Sequence, residues 1–479
     1  MFPPFPQKKA EIVLQKIYSL LLKDEIHLIR DALPSDNREN SLVMLGCLVC
    51  HKKEDSSQTV NLVTVSGISC HLENLSENEL FVEPVVPAKK INEALFKNDK
   101  KIHELTDEIL ILEKNIDSKN EETDAIKKSK IKELKKERDL LCKESLIKVF
   151  DEYEFTLWNK ERKKMLQIIS EKQHLTKIEK IKLPPTGTGD CCAPKLLSYA
   201  FKNDFVPLSL AETKLQFVMK ENKCILKENF CNIKIKENPE FELFSPCKAR
   251  CDLILPDILG LNILYRDDDI IVVNKQSGVL SVPGKTLKDS IVNRVKNLFP
   301  FCIEQPAVHR LDMETSGLMV LAFTKDAHRI LNKQFEERRV QKKYIALLDG
   351  VLAKKGIKER GVMELFFRLD IDNRPRQIWD EVYGKSSITE WKILNVEKYS
   401  FNEEKKRDVT RVEFTPHTGR THQLRVASAD NHGFGVPIIG DYLYGKREEG
   451  QRLYLHATDL SFFHPLTNEK MIFHCEADF

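Results

Sequence analysis

The chain has 479 residues, enough for two or three domains, and its 76 basic and 73 acidic side chains leave a formal net charge of only +3. This near balance excludes a strongly basic nucleic-acid-binding protein, so any such binding must depend on a local basic surface. The sequence has no apolar run of about 20 residues and no N-terminal stretch of signal-peptide form. We therefore expect no membrane span and a cytoplasmic protein with reduced thiols.

Residues 1–90 are predicted to form a small α+β region. A helix-like pattern at Lys9–Leu22 precedes three strand-like apolar runs, at Leu42–Cys50, Val60–Val65 and Leu80–Val86. The region contains no recognisable group of catalytic side chains.

Residues 91–182 form a charged segment without Gly or Pro. Apolar residues recur there at alternating spacings of three and four, which is typical of a coiled-coil seam. The first seam comprises Ile102, Leu105, Ile109, Leu112 and Ile116, and the second comprises Ile131, Leu134 and Leu141. The pattern predicts a helical hairpin or one long helix. A helical spacer with a solvated face is the favoured interpretation, because charge-rich helices need no partner.

Residues 183–261 contain a Gly-rich stretch at 184–197. The stretch lacks the Gly-Lys-Ser/Thr ending of a nucleotide-binding loop and the spacing of a dinucleotide-binding turn. Asp190 is instead predicted to cap a helix at Pro194–Phe201.

The twelve cysteines raise the possibility of a zinc site. Such a site usually takes two closely spaced pairs, whereas the separations here are long. Free cysteine is commonly a small core residue, so we expect packing roles and no metal. The one combination worth testing is Cys247 and Cys251 with Cys191 and Cys192.

From Asn262 onward, short strands and helices alternate. Ile263–Tyr265 and Ile270–Asn274 flank an Asp-rich turn and predict a hairpin. Asp289–Phe299 is predicted to be a helix. The chain lacks the regular alternation of strand and helix that a doubly wound sheet requires.

Residues 309–318, HRLDMETSGL, are the most informative segment of the chain. Asp312 follows a basic pair and precedes a Thr-Ser-Gly turn, and the apolar run Leu318–Phe323 then predicts a buried strand. A short loop at the edge of a rigid sheet is a frequent position for catalytic groups. The alternative is an ordinary loop with an N-cap Asp.

Three later segments extend this pattern: QKKYIALL at 341–348, HTGRTHQLRV at 417–426, and PIIGD at 437–441 with a Tyr-Gly pair after it. Together with 309–318, and in this order, they resemble the motifs of the RluA class of RNA pseudouridine synthases.

The resemblance covers Asn262–Phe479 and has three departures. Gln276 stands where the family often has Pro, and Ala427 stands where it often has His. The loop Ser428–Val436 is Gly-rich and longer. None of these changes affects the carboxylate, tyrosine or arginine of the motifs.

The resemblance implies an α+β fold, with a mainly antiparallel sheet and an active cleft between its halves. We expect this catalytic domain to be preceded by a small α/β or β region that a coiled-coil-like arm interrupts. The implied reaction is an isomerisation, in which the bond from uracil N1 to the ribose breaks and C5 is joined to the same sugar carbon. No cofactor and no metal is expected.

The resemblance also implies roles for individual residues. Asp312 attacks C1′ or removes a proton from C2′, and Arg425 is the cation that holds its carboxylate. Tyr344 stacks on the extruded uracil and handles protons, and Arg310 helps to hold the base out of the RNA stack. The remaining candidates for substrate or RNA binding are His309, Lys275, Thr315, Arg420, His422 and Gln423.

We therefore expect an isomerase that acts on uridine in a stem-loop of ribosomal or transfer RNA. The expected regions are 1–90, 91–182, 183–261 and the catalytic domain at 262–479. The helical arm is an alternative site of contact with RNA or with a second subunit, and the sequence does not identify the uridine.

Two alternatives belong to other classes. One is a non-catalytic RNA-binding or RNA-folding protein on the same scaffold, which the intact Asp312, Tyr344 and Arg425 argue against. The other is a hydrolase of N-glycosidic bonds that uses Asp312 and Glu314 as a carboxylate pair. Side chains two residues apart on a turn need not converge on one bond.

Overall fold

The computed structural model of the protein describes residues 5–22, 41–52, 62–69, 80–114, 121–173, 181–220, 223–226, 242–245, 247, 249–285, 289–400 and 406–479. The chain divides into two compact units, Met1–Gly260 and Leu261–Phe479. The finer division into four regions stays a prediction.

A four-stranded antiparallel sheet with the order β2-β1-β5-β6 is the centre of the first unit, and β3 and β4 form a separate pair. The described strands of this unit are β1 (Ser41–Lys52), β2 (Leu62–Ile68), β3 (Glu154–Thr156), β4 (Arg162–Lys164), β5 (Phe205–Lys220) and β6 (Lys223–Leu226). Its described helices are α1 (Lys8–Leu22), α2 (Ala88–Lys114), α3 (Glu121–Glu152), α4 (Met165–Lys172), α5 (Cys192–Lys202) and α6 (Cys251–Leu259).

Helices cover both faces of this sheet. The side chains of β1 alternate between the two faces, and its buried residues let a helix pack on each. On one face, Leu14 and Ile17 of α1 pack with Leu45 in a fully buried cluster. On the other face α5 approaches so closely that a Cβ at Gly46 would lie 2.4 Å from the Cβ of Cys192.

Helices α2 and α3 pack as an antiparallel pair, which is the hairpin that the heptad pattern offered. Lys90 bonds Glu152 at one end of the pair, and Lys135 bonds Glu113 near the other. Near the second contact lies a small apolar cluster of Leu105, Ile109, Ile131 and Leu134, with Leu112 and Leu141 packed against it. Ile116 lies outside the described residues.

Other predictions for the first unit have mixed outcomes. Helix α1 and strand β1 confirm the predicted Lys9–Leu22 and Leu42–Cys50, and β2 confirms the described part of Val60–Val65. The strand at Leu80–Val86 is wrong: only one bridge, from Phe81 to Ser66, forms there.

The predicted cap at Asp190 is also wrong. The N-cap of α5 is Cys191, which makes no side-chain capping bond. The Asp190 carboxylate instead accepts a hydrogen bond from the buried Tyr153 hydroxyl. The Asp190 carboxylate thus bonds a residue that is distant in the sequence.

The second unit is built on one large sheet with the order β12-β11-β13-β14-β10-β15-β9-β8-β7, and β16 pairs with β15. Its described strands are β7 (Asn262–Arg266), β8 (Ile270–Lys275), β9 (Ser316–Ala322), β10 (Gln341–Leu348), β11 (Arg360–Leu369), β12 (Gln377–Trp379), β13 (Lys385–Tyr399), β14 (Arg407–Pro416), β15 (Leu455–Phe463) and β16 (Lys470–His474). Its described helices are α7 (Ile291–Leu298), α8 (Lys325–Glu336), α9 (Gln423–Ala429) and a 3-10 turn at Leu352–Lys355.

The described strand pairs of this sheet are antiparallel except for β9 and β15, which run parallel. This mostly antiparallel sheet with flanking helices confirms the predicted α+β fold class. The hairpin β7–β8 and the buried strand β9 are also as predicted. The helix predicted at Asp289–Phe299 begins at Ile291, because the Ser290 hydroxyl caps it by accepting from the Asn293 N–H.

In the described part of the chain, no helix combines the length and apolar character needed to cross a membrane.

Gly317 permits the close parallel contact of β9 with β15. Its φ is +118°, and a Cβ at this position would lie 2.4 Å from both the N and the O of Ala457. We expect Gly317→Ala to lower the free energy of unfolding by about 3 kcal/mol or more, because two rigid backbones must separate.

Gly278→Ala is the matched control. Its φ is also positive, at +83°, but no atom lies within 4 Å of the added Cβ. This variant should lower the free energy of unfolding only by the cost of placing alanine at a positive φ, about 1–2 kcal/mol. Calorimetric unfolding of the full-length variants measures both, and equal losses would contradict the steric argument.

Candidate active site

Asp312 lies on the turn that leads into β9, and a second loop holds this turn. The Ser281 hydroxyl donates to the Leu311 carbonyl at 2.7 Å and accepts from the Leu311 N–H at 2.9 Å. The Gly278 N–H donates to the Met313 carbonyl at 2.9 Å. Backbone groups on both sides of Asp312 are thus fixed, which limits the directions available to its carboxylate.

Lys275 supports the same turn from within the protein. Its buried ammonium group donates to the carbonyls of Gln276, Val279 and Met313 at 3.0, 2.7 and 2.8 Å. Burial lowers the pKa of Lys275 to about 7. Three carbonyl acceptors nevertheless match the three N–H donors of the charged form, and this geometry favours the ammonium.

Arg425 links Asp312 to the second half of the sheet. Its side chain is buried on α9 and makes a two-pronged pair with Asp441, with Nε–Oδ2 and Nη2–Oδ1 distances of 2.8 and 2.7 Å. The remaining Nη1 lies 3.4 Å from Oδ2 of Asp312. The Asp312 side chain is 23% exposed, so its other face is open to a substrate.

His422 is the second group beside this carboxylate, with Nε2 at 3.9 Å from Asp312 Oδ2. Its Nδ1 lies 2.8 Å from the Tyr444 hydroxyl, which accepts from the Gln377 N–H at 2.7 Å. Burial lowers the pKa of His422, so the ring is neutral at neutral pH. If the Tyr444 hydroxyl donates to Nδ1, the ring proton is on Nε2, the nitrogen that faces Asp312.

Tyr344 projects into the same space from β10. Burial, together with the negative charge of Asp312, raises the pKa of its phenol. The hydroxyl is therefore protonated at neutral pH, and Tyr344 offers an aromatic face and an O–H donor rather than a phenolate.

These side chains line a cavity of about 560 Å³, and it is predominantly basic. Its described basic residues and histidines are His309, Arg310, Arg338, Lys342, His417, Arg420, His422 and Arg425, and its described acidic residues are Asp312 and Glu336. Because the net charge of the chain is small, nucleic-acid binding would require a local basic surface, and the lining of this cavity is such a surface.

His309 contributes to the cavity wall as a neutral ring. It stacks on Phe335, with ring centroids 4.7 Å apart, and its Nε2 accepts from the Val320 N–H at 3.1 Å. Burial, followed by the charge of Lys342, lowers the pKa of His309 to about 3.

Gln423 organises the loop that carries Arg420. Its buried amide oxygen accepts from the Thr418 hydroxyl and the Arg420 N–H, and its amide nitrogen donates to Ile388 and Thr389. All its hydrogen-bonding positions along this loop are occupied within the protein. Arg420 itself is exposed at the cavity and donates from Nε to the Ser386 carbonyl.

The structure brings nine of the ten predicted site residues to one cavity: His309, Arg310, Asp312, Thr315, Tyr344, Arg420, His422, Gln423 and Arg425. Lys275 is the exception, because it is buried beneath the Asp312 turn. Asp312, but not Glu314, is among the described lining residues. Glu314 is buried with its carboxylate 3.7 Å from Arg447, so the proposed carboxylate pair does not converge.

Sequence reasoning missed Asp441 and Tyr444, which position Arg425 and His422. Both belong to the segment 437–445, which contributed to the resemblance but received no roles. The signal available was Asp441 itself, since a carboxylate that ends an apolar Pro-Ile-Ile run requires a partner if it is buried.

Comparisons with known proteins find relatives of the second unit. The family model for RNA pseudouridylate synthase matches residues 269–430. The Haemophilus influenzae protein named dual-specificity RNA pseudouridine synthase RluA is 42% identical over 224 residues, which are 46% of this chain and 94% of that protein. The protein of the same name from Yersinia pestis is 43% identical over 222 residues, 45% of this chain and 99% of that one.

A solved structure, human RNA pseudouridylate synthase domain containing 1, is also similar, at 31% identity over 45% of this chain and 83% of that one, with a TM-score of 0.37. The family model and the named relatives place the chain in the class of RNA-modifying isomerases. The chain belongs to the RluA class of RNA pseudouridine synthases, which convert uridine in RNA to pseudouridine. The predicted family and enzyme class are confirmed.

We expect Asp441→Asn to destabilise the catalytic unit by about 3 kcal/mol, because it leaves Arg425 buried without its main counter-ion. Asp459→Asn is the control, since it removes a carboxylate from a more exposed pair with His474 and should cost less than about 1 kcal/mol. Urea unfolding of both variants tests this. Equal stability of the two would show that the buried pair contributes no more than a surface one.

His309 should make stability sensitive to acid. Its pKa falls from 6.5 in the unfolded chain to about 3 in the folded protein, so between these values the unfolded state binds the additional proton. Stability is then full above pH 6.5 and decreases as the pH falls toward 3. Glutamine retains a hydrogen-bond acceptor but does not titrate. Between pH 7 and 4.5 we therefore expect the free energy of unfolding of His309→Gln to fall by about 2 kcal/mol less than that of the wild type. Parallel pH profiles from urea unfolding would contradict this.

Proposed function

We propose that Asp312 performs the step at the sugar, during isomerisation of a uridine in a stem-loop of ribosomal or transfer RNA. The observation that carries the proposal is the contact of Asp312 with Arg425, in a basic cavity that Tyr344 also lines. Arginine fixes the direction of a carboxylate and favours its charged form.

The size and charge of the cavity support RNA as the substrate. Ligand pockets usually have volumes of about 300–1,000 Å³, and 560 Å³ lies within this range. A uridine must leave its stack before its sugar can be attacked, so the pocket receives a single extruded nucleotide. The exposed Arg310, Arg338 and Arg420 at the same cavity are suited to the flanking phosphates.

The reaction conserves all atoms and needs no electron donor. The N1–C1′ bond breaks, the base turns, C5 bonds to C1′, and the C5 proton is lost while N1 gains one. Asp312 begins this sequence by attack on C1′ or by removal of a C2′ proton, and both routes start at the sugar.

Tyr344 would act on the base. Its aromatic face can stack on the uracil, a contact worth about 1–3 kcal/mol in other proteins that bind single strands. Because its pKa is raised, its hydroxyl enters the reaction as a proton donor or a hydrogen-bonding group. If the hydroxyl donates its proton, the resulting phenolate must take up one proton before the next turnover.

Relatives named dual-specificity RNA pseudouridine synthase support a uridine in RNA as the substrate. The chain covers nearly all of those relatives, but more than half of its own length has no counterpart in them. We infer that the choice of RNA lies in the synthase domain, in the helical arm, or in both, because the matched relatives align with only 46% of this chain.

The two alternatives are weaker on structural grounds. A non-catalytic RNA-binding protein has no need of a carboxylate held against a buried arginine. A hydrolase with Asp312 and Glu314 requires both carboxylates at one bond, whereas Glu314 pairs with Arg447 beneath the surface.

The deciding experiment uses Asp312→Asn, which keeps the shape of the side chain and removes its charge. We expect isomerisation to fall at least about 10³-fold, while the dissociation constant for RNA changes by less than about threefold. Tritium release from C5-labelled RNA measures the reaction, filter binding measures affinity, and carbodiimide mapping of cellular RNA identifies the uridine. Asp326→Asn is the control, because that carboxylate lies on the surface of α8.

Three outcomes would count against the assignment. Loss of binding in parallel with activity would give Asp312 a structural role. Full activity of the variant would exclude it from the chemistry. Release of free uracil by the wild type would indicate hydrolysis.

A further inference from the structure

Three cysteines of the first unit converge far from the catalytic residues in sequence. The sulfur atoms of Cys191, Cys247 and Cys251 all lie within 4.8 Å of one another, and those of Cys247 and Cys251 are 3.9 Å apart. Cys191 is the N-cap of α5, Cys251 is the first residue of α6, and Cys247 lies one turn before it. The arrangement is therefore formed by two separate helix starts.

We propose that these three thiols bind one Zn²⁺ ion as thiolates. Zinc bonds sulfur at about 2.3 Å with tetrahedral angles, which places neighbouring sulfurs about 3.8 Å apart. The Cys247–Cys251 separation of 3.9 Å matches this geometry, and the other two separations, which are within 4.8 Å, need to shorten by about 1 Å at most. A disulfide would join only two of the three sulfurs and would require them to approach to about 2.05 Å.

Two helix N-termini border these sulfurs. The N-terminus of α5 and the N-terminus of α6 both meet at the cluster, and a helix N-terminus stabilises thiolates. Cys251 is buried, Cys191 is half-buried and Cys247 is exposed. A metal held there has one side in the protein and one toward solvent, so water can complete a four-coordinate shell.

Cys192 is not part of this site, although it adjoins Cys191. Its buried thiol donates to the carbonyls of Met44 and Gly67 at 3.2 and 3.3 Å, on the face of the sheet that α5 covers. The long sequence separations predicted packing alone for all four cysteines. The fold changes that expectation, because it brings three of them together and directs the fourth into the sheet.

The ion would fasten the start of α6 to the start of α5. Because a site of this kind is absent from the unfolded chain, its binding free energy adds to the stability of the first unit.

The test is the metal content of the full-length protein, purified under reducing conditions and supplied with Zn²⁺. We expect about one tightly bound zinc per chain, its loss on treatment with a strong chelator, and a fall in Tm when it is removed. Replacement by Co²⁺ should give a tetrahedral ligand-field spectrum and a sulfur-to-metal charge-transfer band. The control Cys142→Ser, in α3 of the same unit, should retain the metal.

Cys247→Ser and Cys251→Ser should each lose the zinc and the charge-transfer band. Since Cys251 is buried and its replacement can affect folding, the exposed Cys247 variant is the decisive one. Wild-type protein that binds no zinc while its thiols react freely would overturn the proposal. A Cys247–Cys251 disulfide formed in preference to metal binding, or zinc retained by Cys247→Ser, would overturn it as well.

Discussion

The buried pair of Arg425 and Asp441 is the interaction on which the catalytic cavity depends. A guanidinium in the protein interior is stable only if its donors are satisfied. Asp441 accepts hydrogen bonds from Nε and Nη2, and the remaining nitrogen, Nη1, faces Asp312. Asp441 thereby offsets the cost of burying the guanidinium and fixes the direction in which its positive charge points. Asp441 also accepts from the N–H groups of Leu443 and Tyr444, so the same carboxylate positions the tyrosine that holds His422.

Much of this site could be predicted because its functional side chains lie in short segments that occur in a fixed order along the chain. The turn at Asp312, the strand with Tyr344 and the loop before Arg425 each combine a local conformation with a functional side chain. Lys275 shows the limit of this reasoning. Its position in a motif suggested RNA contact, but only the fold reveals that its three donors are directed at backbone carbonyls beneath the turn.

The first unit was harder to anticipate, for physical reasons that its residues illustrate. The apolar run at Leu80–Val86 has the composition of a strand, but pairing depends on an available edge, and only Phe81 reaches one. Asp190 has the local pattern of a cap, yet the buried Tyr153 hydroxyl provides a better partner. The helical pair was predictable in type because heptads are a local signal, whereas convergence of three cysteines depends on tertiary packing. Sequence patterns therefore predicted the elements whose conformation depends on nearby residues, and failed for residues whose partners are distant in the sequence.

The parallel contact of β9 with β15 has a consequence for synthesis of the protein. Strand β9 follows the Asp312 turn directly, but its neighbours in the sheet are β8, just before it, and β15, which ends at Phe463. On a ribosome the Asp312 turn emerges more than a hundred residues before one of its flanking strands. At about 5–20 residues per second this leaves a sheet edge unpaired for several seconds or longer. Completion of the catalytic sheet is accordingly a late event, and until β15 is made the unpaired edge of β9 is open to pairing with other strands.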